Sequence, residues 1–262
     1  ALIIDYIPEL VGSAWQDATV RHAIDMSTGI RFDEVYDFGE GDVARYGIAS
    51  GFRPIPEGWS GPRNLEELLP QFLKEGNHGE MFHYVTPNPE VAGWIIARVT
   101  GKPVSQVISE RIWSQLGMER DAYMIRDRIG MEMAGAGLNA AARDLARFGQ
   151  LLLQDGEWHG QQVLAPEVVA TIRGGGDREA FARGTTEYGP LWEGWSYRAF
   201  WWHTHNAHNA FTGIGINGQW LYVDPTAQVV IVQQSSYPTA DQPEADDVCI
   251  PGFHAIAKEL MG

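Results

Sequence analysis

The sequence predicts an α/β chain of the α+β kind, with a mainly helical part over about residues 13–185 and an antiparallel sheet with a closing helix over about 186–262. Apolar residues recur at helical spacing through the first two thirds, as in Leu68, Leu69, Phe72 and Leu73 or Leu145, Phe148, Leu151 and Leu152. After Gly174-Gly-Gly176 short apolar runs take over, separated by turn signals. A last helical run, about Phe253 to Met261, can cover the sheet. Helices first, strands last and a closing helix give an α-rich part and an α/β part.

Taken in order, residues 1–12 form a short apolar segment ending at Pro8-Glu9-Leu10. Thr19 can cap a helix through Val20, Ala23 and Ile24, stopped near Gly29. Residues 33–63 read as a loop, a length that often lines sites; the acids Asp33, Glu34, Asp37, Glu40 and Asp42 come first, then glycines and prolines. Such an acidic cluster is most often solvated surface, with a calcium site or a cation-selecting rim as the minority reading. Asn64-Leu-Glu-Glu67 resembles a capping box.

A central helix follows. Asn88 can cap it, Pro89 suits its first position, and Gly101 can close it in a left-handed turn. Val91, Ile95 and Val99 share one face, flanked by Trp94 and Ile96, so this helix is expected inside. Further helices are predicted from Pro103, from about Ala141 to Leu153, and from Pro166. Residues 177–198 read as polar and irregular. Strands are predicted at Phe200-Trp-Trp202, Gly213-Ile-Gly-Ile216, Trp220-Leu-Tyr-Val223 and Val229-Val-Ile-Val232, with Asn217-Gly218 as a hairpin turn.

The 262 residues are 44% hydrophobic and 20% charged, enough for one large domain or two subdomains. A formal charge of −15 argues against nucleic acid or an anionic membrane as partner. No apolar run approaches the roughly 20 residues of a membrane-spanning helix. Cys249 is alone, which excludes an internal disulfide and leaves the redox compartment open. The chain starts without methionine or signal peptide, so it reads as a piece of a longer protein. Localisation, cytoplasmic or periplasmic, is not legible, and a homodimer stays open.

Several chemistries can be weighed. His203, His205 and His208 have zinc-accepting imidazoles, but an Asn- and His-rich run is more often polar loop, and no carboxylate-bridged pattern supports a metal. Neither metal nor cofactor is therefore expected. No G-x-S-x-G elbow exists, and Cys249 lacks a positive neighbour in sequence. Ser-x-x-Lys is absent too, because Gln71, Val99 and Ala255 precede the chain's three lysines by three positions. Tyr84 sits among turn-forming residues just before the central helix, where a phenol can exchange a proton if a cationic neighbour lowers its pKa. For an isolated tyrosine, a core position with a backbone-satisfied hydroxyl is the commoner outcome.

Several phrases follow one another in order along nearly the whole chain: Thr19-Val-Arg-His22 through Ser27-Thr-Gly29, Phe82-His-Tyr84, Trp94-Ile-Ile-Ala-Arg-Val-Thr-Gly-Lys-Pro103, Leu116-Gly-Met118 and Gly137-Leu-Asn-Ala-Ala-Ala-Arg-Asp-Leu-Ala-Arg-Phe-Gly149. They are similar to phrases of the penicillin-recognising serine hydrolases. This family includes class C β-lactamases, DD-peptidases, esterase relatives and 6-aminohexanoate-dimer (nylon oligomer) hydrolases. Gly213-Ile-Gly-Ile216, Gly218-Gln219, Val223-Asp-Pro225, Trp201-Trp202 and Ser235-Ser-Tyr-Pro238 look like the nylon-oligomer branch.

The resemblance implies a β-lactamase/DD-peptidase-like fold whose N-terminal strands and Ser-x-x-Lys nucleophile helix lie upstream of Ala1. That missing segment would be a partner of this chain. Tyr84 matches the proton-shuttling tyrosine, and Thr86 stands where many members have Asn. Gly213-Ile-Gly215 occupies the third motif without a cation, which argues against penicillins and D-Ala-D-Ala peptides. Ile216 would offer its N–H to an oxyanion hole, with Gly215 beside it. Tyr36 and Trp202 match substrate-contacting positions; read without the resemblance, they are a loop tyrosine and a core tryptophan. The expected activity is hydrolysis of small amides or esters through an acyl-enzyme without metal. The alternative is a catalytically silent member that binds a ligand or partner. Loops such as 31–63 and 174–198 would shape the pocket.

Overall fold

Local rules place the first elements where the sequence puts them. The structure, a computed structural model, describes residues 1–36, 39, 41–186 and 188–262. Helix α1 (Val20–Ile24) starts at Thr19, whose hydroxyl accepts the His22 N–H at 3.2 Å. Helix α2 (Asp42–Ala49) lies inside the stretch expected to be loop; its register of Val43, Ala44, Tyr46, Ile48 and Ala49 is buried. Helix α3 (Leu65–Leu68) is capped by Asn64, which accepts the Glu67 N–H at 2.8 Å, and it continues as a 3-10 turn, Leu69–Gln71.

Helix α4 (Asn88–Thr100) ends at Gly101 in the left-handed region, as expected. Its start and its last turn differ from expectation. Asn88 is the first helical residue, and its side chain caps nothing; it is fully buried, accepting from the Trp15 indole N–H at 3.1 Å and donating to Thr28 Oγ1 at 2.9 Å. Val91, Trp94 and Ile95 face the core, whereas Val99 is 59% and Ile96 37% exposed. The apolar face therefore spans the first turns only. Helix α5 (Val104–Ile108) runs into a π-helical turn, Ser109–Trp113. A small hairpin pairs β1 (Tyr123–Met124) with β2 (Leu138–Asn139).

Helix α6 (Ala142–Leu153) is followed by a second hairpin, β3 (Glu157–Trp158) with β4 (Gln161–Gln162), and then by α7 (Pro166–Arg173). Helix α8 (Arg178–Gly184) lies in the stretch read as irregular; Asp177 caps it by accepting the Glu179 and Ala180 N–H groups. A five-stranded antiparallel sheet follows in chain order: β5 (Ser196–Arg198), β6 (Trp201–His203), β7 (Phe211–Gly215), β8 (Gln219–Asp224) and β9 (Val229–Gln233). Strand β5 had no counterpart in the sequence reading. The β7–β8 turn holds Asn217 and Gly218 at positive φ, the hairpin geometry their sequence calls for. Helix α9 (Pro243–Glu259) starts about ten residues before the expected run and contains Pro251.

The chain divides into two compact units, Ala1–Glu110 with Ala122–Asn139, and Arg111–Asp121 with Ala140–Gly262. Helices α6, α7 and α8 thus belong with the sheet, so the units cut the chain differently from the split by position at about 185. The first unit closes around Ile3, Trp15, Leu65, Leu68, Val85, Val91 and Met133. In the second, alternate strand residues point to opposite faces. Trp201, Phe211 and Val223 meet Leu152 and Leu153 of α6 and Val169 and Ile172 of α7 on one face. On the other, Phe253 of α9 packs against Trp220 and Tyr222, so the last helix does cover the sheet. Among the described residues, no helix is long and apolar enough to cross a membrane.

Candidate functional site

In the first unit the segment before α4 is pinned from several sides. His83 donates its backbone N–H to Met26 O at 2.7 Å and its Nε2 lies 3.1 Å from Phe32 O. Val85 is fully buried, and the Asn88 N–H returns to Val85 O at 2.9 Å. These contacts fix the turn carrying Tyr84, a half-buried residue whose ring stands 6.4 Å from that of Phe82.

Thr86 and Tyr36 meet at one carboxylate. Glu34 Oε2 accepts the Thr86 N–H at 3.1 Å, while Oε1 accepts the Tyr36 hydroxyl at 2.8 Å and the Thr86 hydroxyl in a short bond. Glu34 is half-buried as a residue, and its carboxyl end is the part turned inward. Burial raises its pKa despite the three donors, which pull the other way, and burial likewise raises that of Tyr36. The acidic cluster therefore comes apart. Asp33 is exposed and Asp42 accepts its N–H at 3.2 Å, whereas Glu34 is a built-in member of the site. Asp37 and Glu40 lie outside the described residues. The available signal was the spacing: Glu34-x-Tyr36 in an extended run puts both side chains on one side.

Behind this group lies a second buried acid. Glu90, fully buried on α4, accepts the Tyr46 hydroxyl at 2.5 Å and the Ala134 and Gly135 N–H groups at 2.8 Å each. Burial outweighs these donors and pushes its pKa up to about 7. A Cβ on Gly135 would fall 2.9 Å from Glu90 Oε1 and 3.0 Å from the Tyr46 hydroxyl, so a larger residue there would have to displace this pair. Sequence reading missed both Glu90 and Tyr46.

In the second unit Gly215 ends β7, exposed, and Ile216 follows it, half-buried, at the entry of the β7–β8 turn. Trp202 is buried on the opposite face from Trp201, within an aromatic group: Trp192 at 5.0 Å, Tyr197 at 5.0 Å and Phe181 at 6.0 Å between ring centroids. Its packing is that of a wall.

The three histidines weighed as a metal site go separate ways. His203 is buried and stacks on Phe211 at 5.6 Å; its Nε2 has no hydrogen-bond partner among the described residues, and burial lowers its pKa to about 4. His205 Nε2 lies 2.7 Å from the hydroxyl of Ser196, which also accepts the Gly176 N–H at 2.9 Å. Ser196 is fully buried, and through this pair it ties the loops at Gly176 and His205 to β5. His208 Nδ1 lies 2.8 Å from Asp224 Oδ2, and Asp224 Oδ1 caps the following turn through the Ala227 N–H. His208, Asp224 and His254 do bring ligand atoms within 4.8 Å of one another, but hydrogen bonds already account for the His208–Asp224 pair.

The beta-lactamase family profile matches residues 1–248. The chain is 36% identical over 240 residues to a 6-aminohexanoate-dimer hydrolase of Paenarthrobacter ureafaciens, covering 91% of this chain and 60% of that protein. A solved structure assigned as a 6-aminohexanoate-dimer hydrolase, from Bacillus anthracis, superposes with a TM-score of 0.88 at 34% identity, covering 100% of this chain and 66% of the other. A family VIII carboxylesterase structure matches in fold, with a TM-score of 0.63 at 16% identity over 94% of this chain and 73% of the other. The chain thus spans about 60% of the curated relative's length. The profile match and the mixed helices and antiparallel sheet agree with the resemblance drawn from the sequence phrases, and the chain belongs to the beta-lactamase family.

Proposed function

We propose that this chain forms the larger, C-terminal part of a serine hydrolase that cleaves small amides or esters through an acyl-enzyme. The observation that carries this reading is the fixed turn at 83–88, which holds Tyr84 at the head of α4 beside the Thr86–Glu34–Tyr36 group. The name of the 36% identical relative supports the substrate class. The nucleophile and its lysine would come from a Ser-x-x-Lys segment in the part of the relatives that this chain does not span; the 262 residues contain no such motif.

In the proposed reaction the serine Oγ adds to the substrate carbonyl and the carbonyl π pair moves onto oxygen. Tyr84 relays the serine proton to the leaving nitrogen or oxygen as the C–N or C–O bond breaks. The N–H of Ile216 donates to the developing oxyanion, a contribution worth about 3–4 kcal/mol in well-placed cases. Water then cleaves the acyl-enzyme and restores the serine. By the family resemblance, Tyr36 and Thr86 in the first unit, and Gly215 and Trp202 in the second, are each substrate-contacting positions.

The absence of Ser-x-x-Lys also favours a second reading, a member that binds a ligand or partner without turnover. Fluorophosphonate treatment of the whole protein separates the two. Stoichiometric labelling of a serine in a Ser-x-x-Lys segment, with parallel loss of esterase activity, is expected of the hydrolase; no labelling leaves the binding reading.

A further inference from the structure

Glu34 is the meeting point of two chain segments with no regular secondary structure: residues 33–36 and the turn before α4. Its two oxygens take both polar hydrogens of Thr86 and the hydroxyl hydrogen of Tyr36. A carboxylate is an acceptor only, so it dictates the direction of all three bonds. We propose that Glu34 is a positioning residue: its carboxylate fixes the Tyr84–Thr86 turn against Tyr36 and turns both hydroxyl protons inward, so that the two oxygens present only lone pairs on their outer side. This rests on the proposed function for its catalytic consequence, but the geometry stands without it.

The isosteric amide cannot reproduce this arrangement. In Glu34→Gln, an amide oxygen kept on the hydroxyls sets the NH2 against the Thr86 N–H, two donors facing each other. The flipped amide satisfies that N–H but then donates to Tyr36 and Thr86, which must turn their protons outward. Either way the turn shifts or its polarity inverts. Displacements of about an ångström near reacting groups cost on the order of a hundredfold in rate.

The groups facing this carboxyl are Thr86, Tyr36 and Asp33; Tyr84 lies near Tyr36 and Tyr46, and Tyr46 bonds Glu90 behind them. Protonation of Glu34 removes the ionised acceptor that orients both hydroxyls. Because burial raises its pKa, this happens above the ordinary carboxylate range.

The test uses the whole protein, labelled with 15N, as wild type, Glu34→Gln, Glu34→Asp and Tyr84→Phe. The Thr86 amide proton is expected to shift in one step as Glu34 titrates, and Glu34→Gln to lack that step. In parallel, kcat for a nitrophenyl ester should fall in wild type with the same acid step. Glu34→Gln should lower kcat about tenfold to a hundredfold and abolish that step, while Glu34→Asp, which keeps the charge, restores part of the rate and retains it. A Thr86 amide that titrates identically in wild type and Glu34→Gln overturns the inference. So does wild-type kcat in Glu34→Gln when Tyr84→Phe is inactive, an outcome that leaves the proposed function standing. Undiminished turnover in Tyr84→Phe instead removes the proposed function and, with it, the catalytic consequence assigned to Glu34.

Discussion

Tyr46 donates its hydroxyl to Glu90 at 2.5 Å inside the first unit, with two backbone N–H groups completing the shell of the same carboxyl. Replacing Glu90 by alanine strands the buried Tyr46 hydroxyl and leaves the N–H groups of half-buried Ala134 and exposed Gly135 without their partner. It is expected to cost about 1–3 kcal/mol of stability, read from the urea midpoint. Gly135→Ala should be destabilising in its own right, because its Cβ would press on both partners.

The raised pKa of Glu90 has a definite sign in stability. Between the unfolded value near 4.3 and the folded value of about 7, the folded state holds more protons than the unfolded one. This group's contribution is therefore fully present below the unfolded pKa and is lost as pH rises to about 7, a swing on the order of 3 kcal/mol.

His203 works in the opposite direction. Its folded pKa of about 4 lies below the unfolded value near 6.5, so the unfolded state binds more protons in that window and stability falls as pH drops through it. His203→Phe keeps a flat apolar-packing ring and removes the orphaned Nε2. It is expected to be neutral or stabilising at pH 7 and to withstand acid better than wild type, as followed by urea unfolding at a series of pH values. Acid sensitivity identical to wild type would show that His203 carries none of it.

Metal content is a separate check. Elemental analysis of the purified protein is expected to find substoichiometric zinc, and Asp224→Ala should weaken folding through the lost His208 and Ala227 bonds rather than through metal loss. Stoichiometric zinc that disappears in His254→Ala would instead assign a metal to His208, Asp224 and His254.

Much of the fold was legible because local rules decide it. Thr19, Asn64, Gly101 and Asn217-Gly218 act through their own backbone neighbourhood, and each does what its residue type calls for. Helix α2 was hidden because acids and glycines border it, although its buried face is regular. Asn88 shows the limit of cap reasoning: a tertiary partner, Trp15, claims the side chain that a local rule assigns to the helix end. The site was less legible. Tyr36, Tyr84 and Thr86 could be named from sequence phrases; Glu34 shows only its two-residue spacing from Tyr36, while its bond to Thr86, 52 positions away, and that of Glu90 to Tyr46, 44 away, have no local signature.

The isolated chain should not be labelled by a fluorophosphonate and should not hydrolyse nitrophenyl esters, since it holds no Ser-x-x-Lys pair. Stoichiometric labelling of any of its serines would contradict the roles assigned to Tyr84 and Ile216.

The central claim is that Tyr84 moves the proton in a reaction whose nucleophile lies on a separate Ser-x-x-Lys segment. The most direct measurement is nitrophenyl ester hydrolysis by residues 1–262, alone and with that upstream segment co-expressed, as wild type and as Tyr84→Phe. We expect no turnover from the chain alone, turnover when the segment is present, and a loss of about a hundredfold or more in Tyr84→Phe, as befits a general acid–base group. Turnover by the chain alone, or a reconstituted Tyr84→Phe as fast as wild type, would contradict it.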